Sequence, residues 1–122
     1  MLYRTTASIT TDSSGDATVF LGGNVHGWIL QVKYLPGSIA TGADLVVTGE
    51  TSGTPILTVT NAGTSDAWYY PRAVVNEVAD ASADTNRVRI PIFDERIKVV
   101  VAQGGSAAAG SIELIYVDDV DG

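Results

Sequence analysis

The sequence predicts an all-β fold, a single-domain antiparallel β-sandwich or jelly-roll-like barrel of about eight strands, and three observations support that prediction. The first is composition. The 122-residue chain is poor in Lys, Glu and Leu and rich in Val, Thr, Ala, Ser and Gly, with thirteen glycines, a mixture that suits pleated strands joined by small-residue turns. The second is rhythm: segments of about seven residues rich in β-branched side chains recur roughly every ten residues, each bounded by Gly, Asp, Asn or Pro. The third is the two-residue period within several of those segments, which gives a strand one buried and one solvated face. One core suffices at this length, since a domain of this size buries about two-thirds of the surface its unfolded chain exposes. No repeat, linker or shift of composition divides the chain, so residues 1–122 are expected to form one domain.

Taken in order, "YRTTASITT" alternates weakly, "DSSGD" (Asp12 to Asp16) supplies turn chemistry, and "ATVFL" follows; the three predict a first hairpin. After Gly22-Gly23-Asn24, the run "HGWILQVKYLP" places Trp28, Leu30, Val32 and Tyr34 on one face and Ile29, Gln31, Lys33 and Leu35 on the other. The first set is expected to face inward. "ADLVVTG", "PILTVTN", "RVRIPIF", "ERIKVVVAQ" and "GSIELIYVD" read as further strands. In the fourth of these Ile97, Val99 and Val101 oppose Arg96, Lys98 and Val100, and in the last Ile112, Leu114 and Tyr116 share a face. Pro91 cannot donate to a ladder, so it marks an edge or a bulge. The stretch Gly104 to Gly110 reads as a hairpin tip. "AVVNEVADASADTN", residues 73 to 86, is read as a strand followed by a loop, because two Val and an Asn make poor helix formers.

Charge and missing residue types exclude several function classes. Seven Lys and Arg against fourteen Asp and Glu give a net charge of −7, the wrong sign for nucleic-acid phosphates or an anionic membrane, so neither is expected as a direct partner. No run of about 18 apolar residues occurs, and "MLYRTTASIT" lacks the apolar core of a signal peptide, which predicts synthesis in the cytoplasm. There is no cysteine and hence no disulfide or thiolate metal site. A Ser-His-Asp triad would have to use His26, the single histidine, yet no nucleophile elbow accompanies it. "DDVDG", residues 118 to 122, has the flavour of a calcium loop without its later ligands, and reads as an acidic tail. "AQGGSAAAG" lacks the Gly-Lys-Ser/Thr ending of a phosphate loop. Asp94 and Glu95 are adjacent, which aims them at opposite faces of a strand and leaves them a polar turn. No catalytic residue, metal or cofactor is therefore expected.

"AWYYPR", residues 67 to 72, concentrates three of the nine aromatic residues. On a strand Trp68 and Tyr70 point one way and Tyr69 the other, so one face is buried and one presented. Aromatic and Arg side chains are enriched at interface hot spots, which makes Trp68, Tyr69, Tyr70 and Arg72 candidate contacts. The N-terminal stretch 1–6, with Leu2, Tyr3 and Arg4, is the second candidate, as a short arm reaching a partner.

The segments "ITTDSSGDATVFL", "GWILQVKYLPGSIATGADLVVTGETSGTPILTVTNAGTSDAWYYPR" and "ERIKVVVAQGGSAAAGSIELIYV" together resemble a family of small structural proteins of tailed bacteriophages. The likeness is concentrated in "TGADLVVTGE", "ILTVTNAG", "YPR" and "RIKVVVAQGG", and "VVNEVADASADTNRVRIPIF", residues 74 to 93, carries little of it. The resemblance implies a capsid decoration (cement) protein on the outer surface of the phage head, with the major capsid protein as partner and self-association as a trimer. A head-fibre or tail component that binds the host surface or carbohydrate is the alternative it implies. Neither role needs an enzyme or a cofactor.

Overall fold

The computed structural model describes residues 1–76 and 83–118, with the backbone alone for Asn76 and residues 83–86. Among the described residues nine strands follow one another: β1 (Leu2–Thr10), β2 (Ala17–Leu35), β3 (Asp44–Gly49), β4 (Pro55–Val59), β5 (Ala67–Tyr69), β6 (Ala73–Asn76), β7 (Ala83–Val88), β8 (Ile90–Ala102) and β9 (Ala109–Val117). Every pairing is antiparallel, and the main sheet runs β1-β9-β2-β8-β3-β4, with β5 added to β2 and β6-β7 forming a separate ribbon. This is the predicted all-β fold in its sandwich form and not as a closed barrel.

The nineteen-residue β2 makes the sandwich possible. Its first part, Ala17–Leu21, pairs with Val101–Ile97 of β8, and its last part, Trp28–Leu35, pairs with Val117–Ser111 of β9. One strand thus belongs to two layers, β1-β9-β2-β5 and β2-β8-β3-β4. The change of direction falls where the register against β8 slips twice, between Leu21 and Val25 and again before Gly27. Gly22 and Gly27 there have φ of +72° and +140°, conformations that a side chain would oppose. Between the layers Ile9, Val32, Tyr34, Ile112 and Leu114 of one meet Leu21, Leu45, Val47, Ile97, Val99 and Val101 of the other, all fully buried. Burying a branched aliphatic side chain is worth about 1.5–3 kcal/mol, so this alternation, readable in "RIKVVV" and "SIELIY", holds the fold together without disulfides.

Several expectations change. The stretch Gly104 to Gly110 is not a hairpin tip, because β8 pairs with β2 and β3 while β9 pairs with β1 and β2; "ATVFL" and "HGWILQVKYLP" belong to the one strand β2, and "RVRIPIF" is divided between the end of β7 and the start of β8, which runs on through "ERIKVVVA". Asp12–Asp16 does form its turn, with the Asp12 carboxylate accepting the backbone N–H groups of Ser14 (2.8 Å) and Asp16 (3.0 Å). No hairpin results, however, because β1 pairs with β9 from Leu2↔Val117 to Thr10↔Ala109; the turn passes the chain from one layer to the other. Leu2–Thr6 is accordingly the first half of β1 and not an arm. On β2, Leu30 is an extra residue between Ile29, opposite Tyr116, and Gln31, opposite Ile115. This bulge exchanges the two faces of the part before it, so that Ile29 is buried and Trp28 and Leu30 are only partly so, while Val32 and Tyr34 are buried as expected. Residues 83–86, expected in a loop, lie in β7, which pairs with β6; the remainder of that loop, 77–82, lies outside the described residues. So does the acidic tail beyond Asp118. Pro91 sits where expected, in the part of β8 before its pairing with β3 begins at Ile97.

Candidate protein-interaction face

β5 is three residues long and exists by docking onto β2, with Tyr69 opposite Val32, Trp68 opposite Lys33 and Ala67 opposite Tyr34. Strand alternation then sorts the aromatic cluster. Tyr69 faces inward and packs against the core, whereas Trp68 and Tyr70 are 51% and 61% exposed. Both outward rings are held from β2. The Lys33 ammonium lies 5.0 Å from the centroid of the Trp68 ring, a cation–π contact, and the Gln31 amide donates to the Tyr70 hydroxyl at 3.3 Å.

The same outer face continues across the layer. Lys33 lies opposite Glu113 and Gln31 opposite Ile115; on the far side of β9, Glu113 lies opposite Thr6, Ile115 opposite Arg4 and Val117 opposite Leu2. Arg4 Nε meets the Glu113 carboxylate at 2.5 Å. A second row of apolar side chains, Trp28, Val117 and Leu2, borders it. The charges on this face therefore engage partners within it, Arg4 with Glu113 and Lys33 with Trp68. What remains presented is aromatic and aliphatic surface on an otherwise acidic protein, the composition of an interface core.

Of the seven candidate contacts, the fold brings Leu2, Arg4, Trp68 and Tyr70 onto this face. Tyr69 supports it from the core side. Tyr3 points to the opposite side of β1, stacked on Tyr116 with centroids 5.2 Å apart, and its hydroxyl donates to Asp118 at 3.1 Å. Asp118 also accepts from the N-terminal ammonium at 3.2 Å, which, ahead of the Tyr3 bond, holds its carboxyl below the ordinary value, while the same bond raises the Tyr3 phenol. This residue is thus a tie between the chain's start and the end of β9, and not the first residue of a solvated tail. Arg72 is exposed beyond Pro71, where it lines a groove with Pro55, Leu57 and Val74, apart from the other four.

A second exposed apolar site was not legible beforehand. Phe93 is 77% exposed and meets the edge of the His26 ring at a centroid distance of 5.4 Å. Together with Trp28, Pro91 and the Ser52–Thr54 turn these rings line an open cleft of about 400 Å³. Nothing in "RIPIF" distinguishes Phe93 from a core strand residue; the Pro91 bulge signal two residues earlier is the only hint of irregular alternation.

Glu95 forms the floor of that cleft and overturns the polar-turn expectation. It is 7% exposed, turned inward after Asp94, whose φ is +54°. Its Oε1 accepts the backbone N–H groups of Thr51 (2.8 Å) and Ser52 (2.9 Å), so it anchors the turn between β3 and β4. Gly49 must be bare for this, since a Cβ there would lie 2.6 Å from Glu95 Oε1. The N–H donors, that of Ser52 first, hold the Glu95 carboxyl below its ordinary value of 4.5. A lowered folded-state pKa gives stability that is full above the unfolded value and lost as pH falls through the folded one. Glu95→Gln is therefore expected to lower the urea midpoint at neutral pH, with the difference from the parent protein shrinking as pH falls through the folded-state value, measured as paired unfolding curves over a descending pH series.

Set against known protein families and against characterised proteins, the chain matches none.

Proposed function

We propose that the protein is a non-enzymatic structural component of a tailed-phage virion, a decoration protein that attaches to the major capsid protein on the outside of the head through the outer face of the β1-β9-β2-β5 layer. The observation behind this reading is the pair Trp68 and Tyr70, more than half exposed and side by side on a face whose Arg4, Glu113 and Lys33 have partners within it. The resemblance of the β3–β5 and β8–β9 sequences to phage structural proteins supplies the class. Physical requirements agree with it. A decoration protein must fold without cofactors and hold a surface repeated many times, and on a symmetric shell modest single contacts add through avidity. An acidic remainder suits docking to a complementary basic rim and disfavours the packaged genome.

Quantitative mass spectrometry of purified virions tests the proposal. A decoration protein is expected at a copy number of the same order as the capsid protein, and the purified chain is expected to bind expanded shells; a handful of copies per particle, with no shell binding, would overturn it. The second reading, a carbohydrate- or host-binding module, draws on the same two rings beside Gln31 and Lys33. It is the weaker one because the Lys33 ammonium occupies a face of the Trp68 ring on which a sugar would stack. Binding on a glycan array, absent under the first reading, separates the two.

A further inference from the structure

β1 ends its layer, and among the described residues no strand pairs with its second edge. Exposed edges are templates for strand addition, and folded proteins blunt them by shortness, Pro, Lys or bulges. The strand that ends the other layer, β4, shows these devices: five residues, Pro55 at its start and a register slip against β3. β1 shows none of them. It has nine residues, contains neither Pro nor Lys, and keeps an unbroken register with β9. It is also the neutral part of an acidic chain, because none of the fourteen Asp and Glu residues precedes Asp12. Its one charged side chain, Arg4, is engaged by Glu113.

We propose that β1 pairs with β1 of a second copy, antiparallel about a two-fold axis at Thr6, joining two layers into one continuous sheet. The strand complements itself in that register. Pairing the whole of Leu2–Thr10 sets Thr6 opposite Thr6, Thr5 opposite Ala7, Arg4 opposite Ser8 and Tyr3 opposite Ile9. No like charges meet, and Thr–Thr pairs stabilise antiparallel neighbours. Because residues that lie opposite share a face, the axis stands perpendicular to the sheet and keeps Leu2, Arg4 and Thr6 of both copies on one side. The interaction faces carrying Trp68 and Tyr70 then lie side by side, an isologous pair where the resemblance implies a trimer. This contact forms between free copies, so it stands or falls independently of shell binding.

The test is sedimentation equilibrium of the intact chain with Thr6→Lys and Thr6→Glu variants, at a site that is exposed and so compatible with folding, as circular dichroism verifies. The parent protein is expected at twice its 12.7 kDa chain mass. Each variant places like charges across the axis and is expected to raise the dissociation constant about tenfold or more. An equimolar mixture of the two variants is expected to restore the dimer, which general destabilisation would not do. A parent protein that is monomeric or trimeric, variants that remain dimeric, or a mixture that fails to reassociate would each overturn the proposal.

Discussion

Gly27→Ala is expected to cost about 3–5 kcal/mol, a large share of the roughly 5–15 kcal/mol that holds a domain together. Gly27 combines two constraints. Its φ of +140° lies where residues with a Cβ are strained, and an added Cβ would stand 1.9 Å from the carbonyl oxygen of Val117 and 2.8 Å from the Cα of Asp118. Both obstacles are backbone, so no rotamer change relieves them. The next residue, Trp28, opens the ladder with Val117, and relief by separation would begin to strip β9 from β2 at the point where the two layers diverge. Gly53→Ala is the control. It too has positive φ, +73°, but nothing lies within 4 Å of its added Cβ, so only the conformational penalty of about 1–2 kcal/mol applies. Urea unfolding followed by far-ultraviolet circular dichroism is expected to show a much lower midpoint for the first variant and a modest shift for the second. Equal shifts would mean that the close approach of β2 to the end of β9 does not limit the fold.

The second large effect concerns attachment. Trp68→Ala with Tyr70→Ala is expected to weaken binding to expanded shells about 1,000-fold, since two truncated hot spots cost about 2 kcal/mol each. Stability is expected to change little, because both rings are more than half exposed. Both are also held in place before binding, Trp68 by Lys33 and Tyr70 by Gln31, so little side-chain freedom remains to be lost on docking. Tyr69→Ala is expected to do the reverse, lowering the unfolding midpoint through lost core packing. Phe93→Ala should leave both properties near the parent values, and Arg72→Ala should have a small effect on binding, since Arg72 lies off the face. Isothermal titration against purified shells, alongside thermal unfolding, reads all four.

How far the sequence foretold this arrangement depends on whether the relevant information is local. The all-β class, the buried set Ile97, Val99 and Val101, the Asp12 turn and the split of Trp68 and Tyr70 from Tyr69 all follow from side-chain alternation and turn chemistry within a few residues, whereas β7, read as a loop, does not. Pairing does not. The partner of β1 is β9, more than a hundred residues away at Leu2↔Val117, and the adjacent strand β2 was the natural local expectation. The extra residue Leu30 inverts the faces of β2 before it and leaves Val32 and Tyr34 inward, yet a bulge leaves the spacing of apolar residues superficially regular, so "WILQVKYL" does not reveal the switch. Register is settled by the partner strand. Glu95 illustrates the same boundary, because its burial depends on backbone donors at Thr51 and Ser52 that no sequence neighbour supplies. The shared outer face of Leu2, Arg4, Trp68 and Tyr70 emerged only once β9 and β2 were known to lie between β1 and β5.

Hydroxyl-radical footprinting of the protein bound to shells, compared with the free protein, asks directly which face is covered. Attachment through the β1-β9-β2-β5 layer predicts that Trp68 and Tyr70 become protected while Phe93, in the separate cleft, stays as reactive as in solution. Unchanged oxidation of Trp68 and Tyr70 with protection of Phe93 would contradict it and assign attachment to the cleft beside His26.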